Sequence, residues 1–120
     1  MSLGYRNCVV ASTISVMALR MTGRGRRNNA IRHFLWQASL TFLYGARAAK
    51  RLGDAHEWGE ECPRRGRCDT RTDQFNSRQA RAFASSSWNR REMTRFHGRG
   101  QLLGHLYNVG DWLYRRGYLE

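Results

Sequence analysis

One proline in 120 residues, Pro63, is the feature that most limits what this chain can fold into. Proline breaks helices by removing a backbone donor and clashing with the preceding turn. Away from position 63 that obstacle is missing, and the glycines gather in short turn-like clusters. Apolar residues seldom alternate with period two, so strands find little support. The chain therefore reads as all-α, a compact single-domain bundle of five to six helices covering residues 1–120. With 41% hydrophobic residues it can build one core, and it is too short for two.

The first helix is predicted at about 5–21. Its run "CVVASTISVMAL" is apolar nearly all round, which predicts a central helix with Cys8 as a buried thiol. The run is too short to span a bilayer. It resembles a signal-peptide core after Arg6, but no A-x-A cleavage site follows. "TGRGRRN" is a basic connector, after which Asn28 or Asn29 can cap a helix over about 30–44 that stops at Gly45. A third helix follows at about 46–58, then a loop over 59–70. Thr70 or Thr72 can cap a fourth helix, "DQFNSRQARAFASSS". "SWNRREMTRFHGRG" predicts a short helix and a turn. The last helix, about 101–116, carries Leu102, Leu106, Val109 and Leu113 on one stripe, with Leu103, Tyr107, Gly110 and Tyr114 beside it. No repeat or linker marks a second domain.

Charge narrows the partners. The formal net charge is +12 and the pI about 11.1, so the surface attracts polyanions such as nucleic acid, anionic lipid or an acidic protein. Lys50 is the sole lysine, a skew that GC-rich codon usage also produces; arginine is nonetheless the better bidentate binder of phosphate. Cys62 and Cys68 are spaced to close a small loop as a disulfide, which would indicate an exported protein; two cytosolic thiols would have the same spacing. C-x5-C without a second pair is not a zinc pattern.

Against that basic background, six of the nine acidic residues fall between positions 54 and 73. Two histidines flank or join this region. His33 shares a helical face with Trp36, Leu40 and Leu43, and His56 shares one with Ala49 and Leu52. A short connection makes such helices antiparallel neighbours, so the two imidazoles can meet. Glu57 borders the same cleft. Asp73 and Asn76 lie one turn apart, with Ser77 and Arg81 on their side. Each residue has an ordinary reading too. A histidine on an apolar stripe is more often a hydrogen-bonded core residue, Glu57, Glu60 and Glu61 can be a solvated patch, and Asp73 suits a helix start. His97 and His105 receive no role. Carboxylates beside imidazoles are nonetheless what a divalent cation or a general acid/base pair requires.

"NNAIRHFLWQA", "GDAHE" and "DQFNSRQAR" together resemble a bacterial domain of unknown function, the DUF6973 type, found in polymorphic toxins and in phage-associated and cell-surface proteins. Asn29, Ala30, Arg32, His33 and Trp36 match its N-A-x-R-H-x-x-W helix, and Ala55, His56 and Glu57 match its A-H-E helix. Asp73, Asn76 and Arg81 match its third motif. Ser77 and Ala80 depart from it, replacing an asparagine and a glycine. The resemblance covers about 28–81. It implies a secreted toxin or effector delivered to a target bacterial cell, and with it an acidic immunity protein as partner.

The residues and the resemblance converge on Arg32, His33, His56, Glu57, Asp73, Asn76 and Arg81. They predict a hydrolase of a phosphate-containing substrate: RNA or DNA, a nucleotide, or a lipid-linked phosphate. His33 or His56 would serve as general base or metal ligand, with Glu57 and Asp73 orienting the histidine. His56, Glu57 and Asp73 are the candidate ligands of a divalent metal ion. Arg32 and Arg81 would bind phosphate, and Asn76 the substrate or a water. A metal-free ribonuclease needs no more than these groups. The alternative is a non-enzymatic basic module that binds nucleic acid or an acidic protein. Its runs "GRGRR", "PRRGR" and "NRRE" contain no interleaved aromatic residue. A membrane-active first helix is a third reading, against which stands the lack of a polar face.

Overall fold

A computed structural model of the protein describes the backbone of residues 5–59 and 71–120, and the side chains of 6–54 and 71–120. The proposed Cys62–Cys68 loop, with Glu60, Glu61 and Thr70, lies outside the described residues. Among the described residues six helices follow one another: α1 Tyr5–Thr22, α2 Arg26–Tyr44, α3 Ala46–Gly59, α4 Arg71–Ser85, α5 Ser87–Met93 and α6 Arg99–Arg115. No strand occurs among the described residues, so the all-α bundle read from the sequence is the fold. None of these helices is long and apolar enough to cross a membrane.

The central helix is α2, not the first helix as its composition predicted. Residues 34–41 of α2 are all buried, and α2 packs against α4, α6, α1 and α3. By contrast α1 turns only Ala11, Ile14 and Ala18 fully inward, leaving Val9, Val16, Leu19 and Met21 exposed. Cys8, expected to be buried, is exposed for the same reason. Two apolar helices compete for one centre, and α2 fills it with the larger side chains Phe34, Leu35, Trp36 and Leu40. Burying each such side chain contributes about 1.5–3 kcal/mol.

Local chemistry fixes how the neighbours approach. Gly45 alone joins α2 to α3; its φ of 91° favours glycine, and its N–H donates to Thr41 O at 2.8 Å. The chain therefore reverses at once and α3 runs back along α2. Gly110 lets α6 lie close to α2, since a Cβ there would stand 3.2 Å from Phe34 Cδ2. Trp36 ties α2 to α1 by donating its indole N–H to Ala11 O at 2.8 Å. The Arg90 guanidinium donates to Thr41 O and Phe42 O at the end of α2 and to Ala84 O at the end of α4. A cation there suits the negative end of both helix dipoles.

Two helix starts differ from expectation. α2 begins at Arg26 after Gly25, which supplies no side-chain cap. Asn28 and Asn29 lie inside its first turn, where Asn28 bonds Arg24 O and Asn29 reaches α4. Thr72 likewise lies inside α4 rather than capping it.

Candidate active site

The α2–α4 contact, the most extensive in the bundle, is polar along one edge. Asn29, His33 and Gln37 recur every four residues on α2. Asp73, Ser77 and Arg81 do the same on α4. Asn29 Nδ2 donates to Asp73 Oδ1 at 2.8 Å, and Arg81 Nη1 donates to Gln37 Oε1 at 2.7 Å. Both pairs are separated by 44 residues, so α2 and α4 run parallel in one register. Eight residues of helix make this seam about 12 Å long.

His33 sits between the two bonds. Its Nε2 lies 3.4 Å from Asp73 Oδ1, with both side chains largely buried at 15% and 13% exposure. Burial pushes the His33 pKa down from its ordinary 6.5; Asp73 opposes that shift and Arg32 adds to it. The imidazole is thus held neutral near pH 7, beside a carboxylate that favours its cation.

α3 closes the third side. Gln37 Nε2 donates to Ala49 O at 3.0 Å, and a Cβ at Gly53 would come within 2.8 Å of that same Nε2. The missing side chain at 53 is what admits the Gln37 amide. Between the three helices lies a cleft of about 130 Å³, reached by His33, Trp36 and Gln37 from α2, Lys50 and Asp54 from α3, and Ser77, Arg78 and Arg81 from α4. Lys50 pairs with Asp54 at 2.8 Å. The cleft therefore offers three basic side chains, one acid and a neutral imidazole. That arrangement can receive a small anionic group beside a proton acceptor.

Of the seven site residues read from the sequence, His33, Asp73 and Arg81 come together along this seam. Arg32 is engaged one layer away: it donates to Asn29 Oδ1 at 2.7 Å and to Gly23 O at 2.9 Å, so it steadies the asparagine that holds Asp73. Asn76 does not share the side of Ser77 and Arg81. It is fully buried, and its Oδ1 accepts the Glu120 N–H at 2.8 Å, docking the C-terminal segment on α4. His56 and Glu57 lie in the last turns of α3, and their side chains are outside the described ones. The register of α3 is nevertheless informative. Gly53 stands opposite Gln37, so four residues further along each antiparallel helix position 57 comes level with His33. Ala49 and Leu52, the predicted companions of His56, are buried. Among the described residues no three metal-ligating side chains converge; the candidate set His56, Glu57 and Asp73 has only Asp73 among them.

Sequence reasoning missed Gln37 and the role of Asn29. The signal was present: both stand four residues from His33 on a helix otherwise rich in apolar residues. Comparison with protein-family models, with curated proteins and with solved structures finds no match to this chain.

Proposed function

We propose that the protein is a hydrolase of a phosphate-containing substrate and that the α2–α3–α4 cleft is its active site. The observation that carries this reading is the largely buried His33, 3.4 Å from Asp73 at the edge of a cationic cleft, where burial lowers its pKa. A general base must be unprotonated before it acts. His33 would take the proton of the attacking water or hydroxyl as its oxygen bonds to phosphorus. Asp73, held by Asn29, would stabilise the imidazolium. Arg81 and Arg78 would bind the phosphate and offset the charge that builds as the leaving oxygen departs. The cleft is small beside pockets of about 300–1,000 Å³ that enclose whole ligands. It suits one phosphoryl group, with the rest of the substrate outside. Should a divalent cation take part, Asp73 with His56 and Glu57 is the set that would hold it, and the ion would polarise a phosphoryl oxygen.

The likeness of the three motifs to toxin-borne domains supports an effector role in a target bacterial cell, with an acidic immunity protein as its inhibitor. The second reading, a non-enzymatic polyanion-binding module, is favoured by the net charge of +12. Expression in bacteria, directed separately to cytoplasm and periplasm, separates them. The wild type should arrest growth in one compartment and His33→Ala should not, with the compartment dividing nucleic acid from envelope substrates. Equal arrest by both proteins would remove His33 from the account.

A further inference from the structure

The C-terminal end of α6 carries a second feature, away from the cleft. Trp112 and Tyr118 are 46% and 55% exposed, yet their rings are nearly parallel, 15° apart with centroids 6.4 Å from each other. The Arg116 guanidinium lies 4.7 Å from the centre of the Trp112 ring. Arg115 adjoins them, sharing Asp111 with Arg27. One acid thus offsets only one of these three guanidinium groups. Here basic and aromatic side chains lie together at an exposed surface.

Backbone bonds hold this segment against the body of the protein. Gly117, at φ 84°, ends α6 with two reverse bonds: its N–H donates to Tyr114 O at 3.1 Å and the Tyr118 N–H to Leu113 O at 2.9 Å. That helix ending brings the residue after the glycine back over the last turn. Three further contacts hold the segment to the body: Gln79 donates to Tyr118 O, Asn76 accepts from the Glu120 N–H, and Leu119 is buried. A hydrophobic contact across such a helix end is ordinary. Two half-exposed, nearly parallel aromatic rings with an arginine on one of them are more than that contact requires.

We propose that Trp112, Tyr118 and Arg116 form a stacking platform for single-stranded nucleic acid. Unpaired bases stack on exposed aromatic faces with little regard to sequence, while arginines hold the phosphates. A duplex hides those base faces and cannot use the platform. Gln79 lies on the side of α4 away from Ser77 and Arg81, so the platform and the cleft are separate contacts. That single strands are also the substrate rests on the hydrolase reading; the platform itself does not.

The test is fluorescence anisotropy of a labelled oligo(dT) of about twelve nucleotides, with the full chain at fixed salt. Trp112→Ala and Tyr118→Ala should each weaken binding at least fivefold. Arg116→Ala should weaken it and lower the salt slope by about one. Trp88→Ala removes a still more exposed indole, at 66%, and should bind as the wild type does. Gly117→Ala, which keeps both rings but strains the turn, should also weaken binding. Circular dichroism melts verify that each variant is folded. Unchanged affinity in Trp112→Ala and Tyr118→Ala, or duplex of equal length binding as tightly as the single strand, would overturn the proposal. His33→Gln should bind oligo(dT) normally while losing hydrolysis, so failure of the platform and failure of the cleft are told apart.

Discussion

The two flanks of α2 are built on opposite principles. On one flank Ile31 and Phe34 meet Gly110 of α6 in close apolar contact. On the other, Asn29, His33 and Gln37 meet α4 through side-chain polar groups. The first flank is the cheapest way to join two helices. The second asks more, because each buried polar group must find a partner or cost about 1–3 kcal/mol. Replacing such a seam by matched apolar side chains is often neutral or stabilising. The difference teaches that the apolar flank holds the bundle together, while the polar flank holds particular groups in place.

The comparison can be broken most forcefully on the apolar flank. Phe34 is wholly buried, beside Gly110 of α6 and edge-on to Phe83 at the inner side of α4, centroids 5.3 Å apart. Phe34→Ala should cost about 3–5 kcal/mol in urea unfolding. A loss below 1 kcal/mol would mean that the apolar contacts of α2 with α6 and with Phe83 are not what stabilises the bundle. Gly110→Ala sets about 1 kcal/mol of gained helix propensity against a Cβ 3.2 Å from Phe34 Cδ2, so it should change stability much less than Phe34→Ala.

On the polar flank, single and double substitutions should part company. Gln37→Leu alone removes the bonds of the amide to Arg81 and to the buried Ala49 O and should cost about 1–3 kcal/mol. Gln37→Leu with Arg81→Met should recover most of that stability while weakening binding of inorganic phosphate in a calorimetric titration. Recovery of stability with unchanged phosphate binding would make the seam purely structural.

A smaller effect concerns pH. The His33 pKa is lower in the folded protein than its ordinary 6.5, chiefly through burial. The unfolded chain therefore takes up this proton first. The stability linked to a neutral His33 is present above about pH 6.5 and is lost as pH falls through the folded value. His33→Gln should flatten the melting-temperature curve between pH 7 and 5. His105, lowered mainly by burial against the pull of Glu92, contributes in the same direction, so the difference between wild type and variant isolates His33. Lys50→Ala should do least. Its pair with Asp54 is exposed at both ends and is worth about 0.5 kcal/mol or less.

Much of this was legible in the sequence because helices are short-range objects. A near absence of proline and a period of 3.6 locate them to within a few residues. Which helix lies at the centre is not a local property. α1 and α2 are both apolar, and only packing reveals that α2 is wrapped on four sides while α1 faces water with Val9, Val16 and Leu19. The site divides in the same way. His33, Asp73 and Arg81 stand out as polar residues on helical faces. The 44-residue register that joins Asn29 to Asp73 and Gln37 to Arg81 depends on how two distant helices align. Asn76 drew notice for its type and its distance from Asp73, yet its amide is used to dock the end of the chain.

Hydrolysis by purified wild type, His33→Gln and Asp73→Asn across pH tests the central claim most directly. Substrates should include single-stranded RNA, single-stranded DNA and nucleotides. The wild type should cleave one of these classes, and His33→Gln should lose about a hundredfold or more in kcat/KM. Asp73→Asn removes the charge that favours the imidazolium, so the acid limb of its pH profile should move to lower pH. Full activity in His33→Gln, or an acid limb that does not move in Asp73→Asn, would contradict a base at His33 positioned by Asp73.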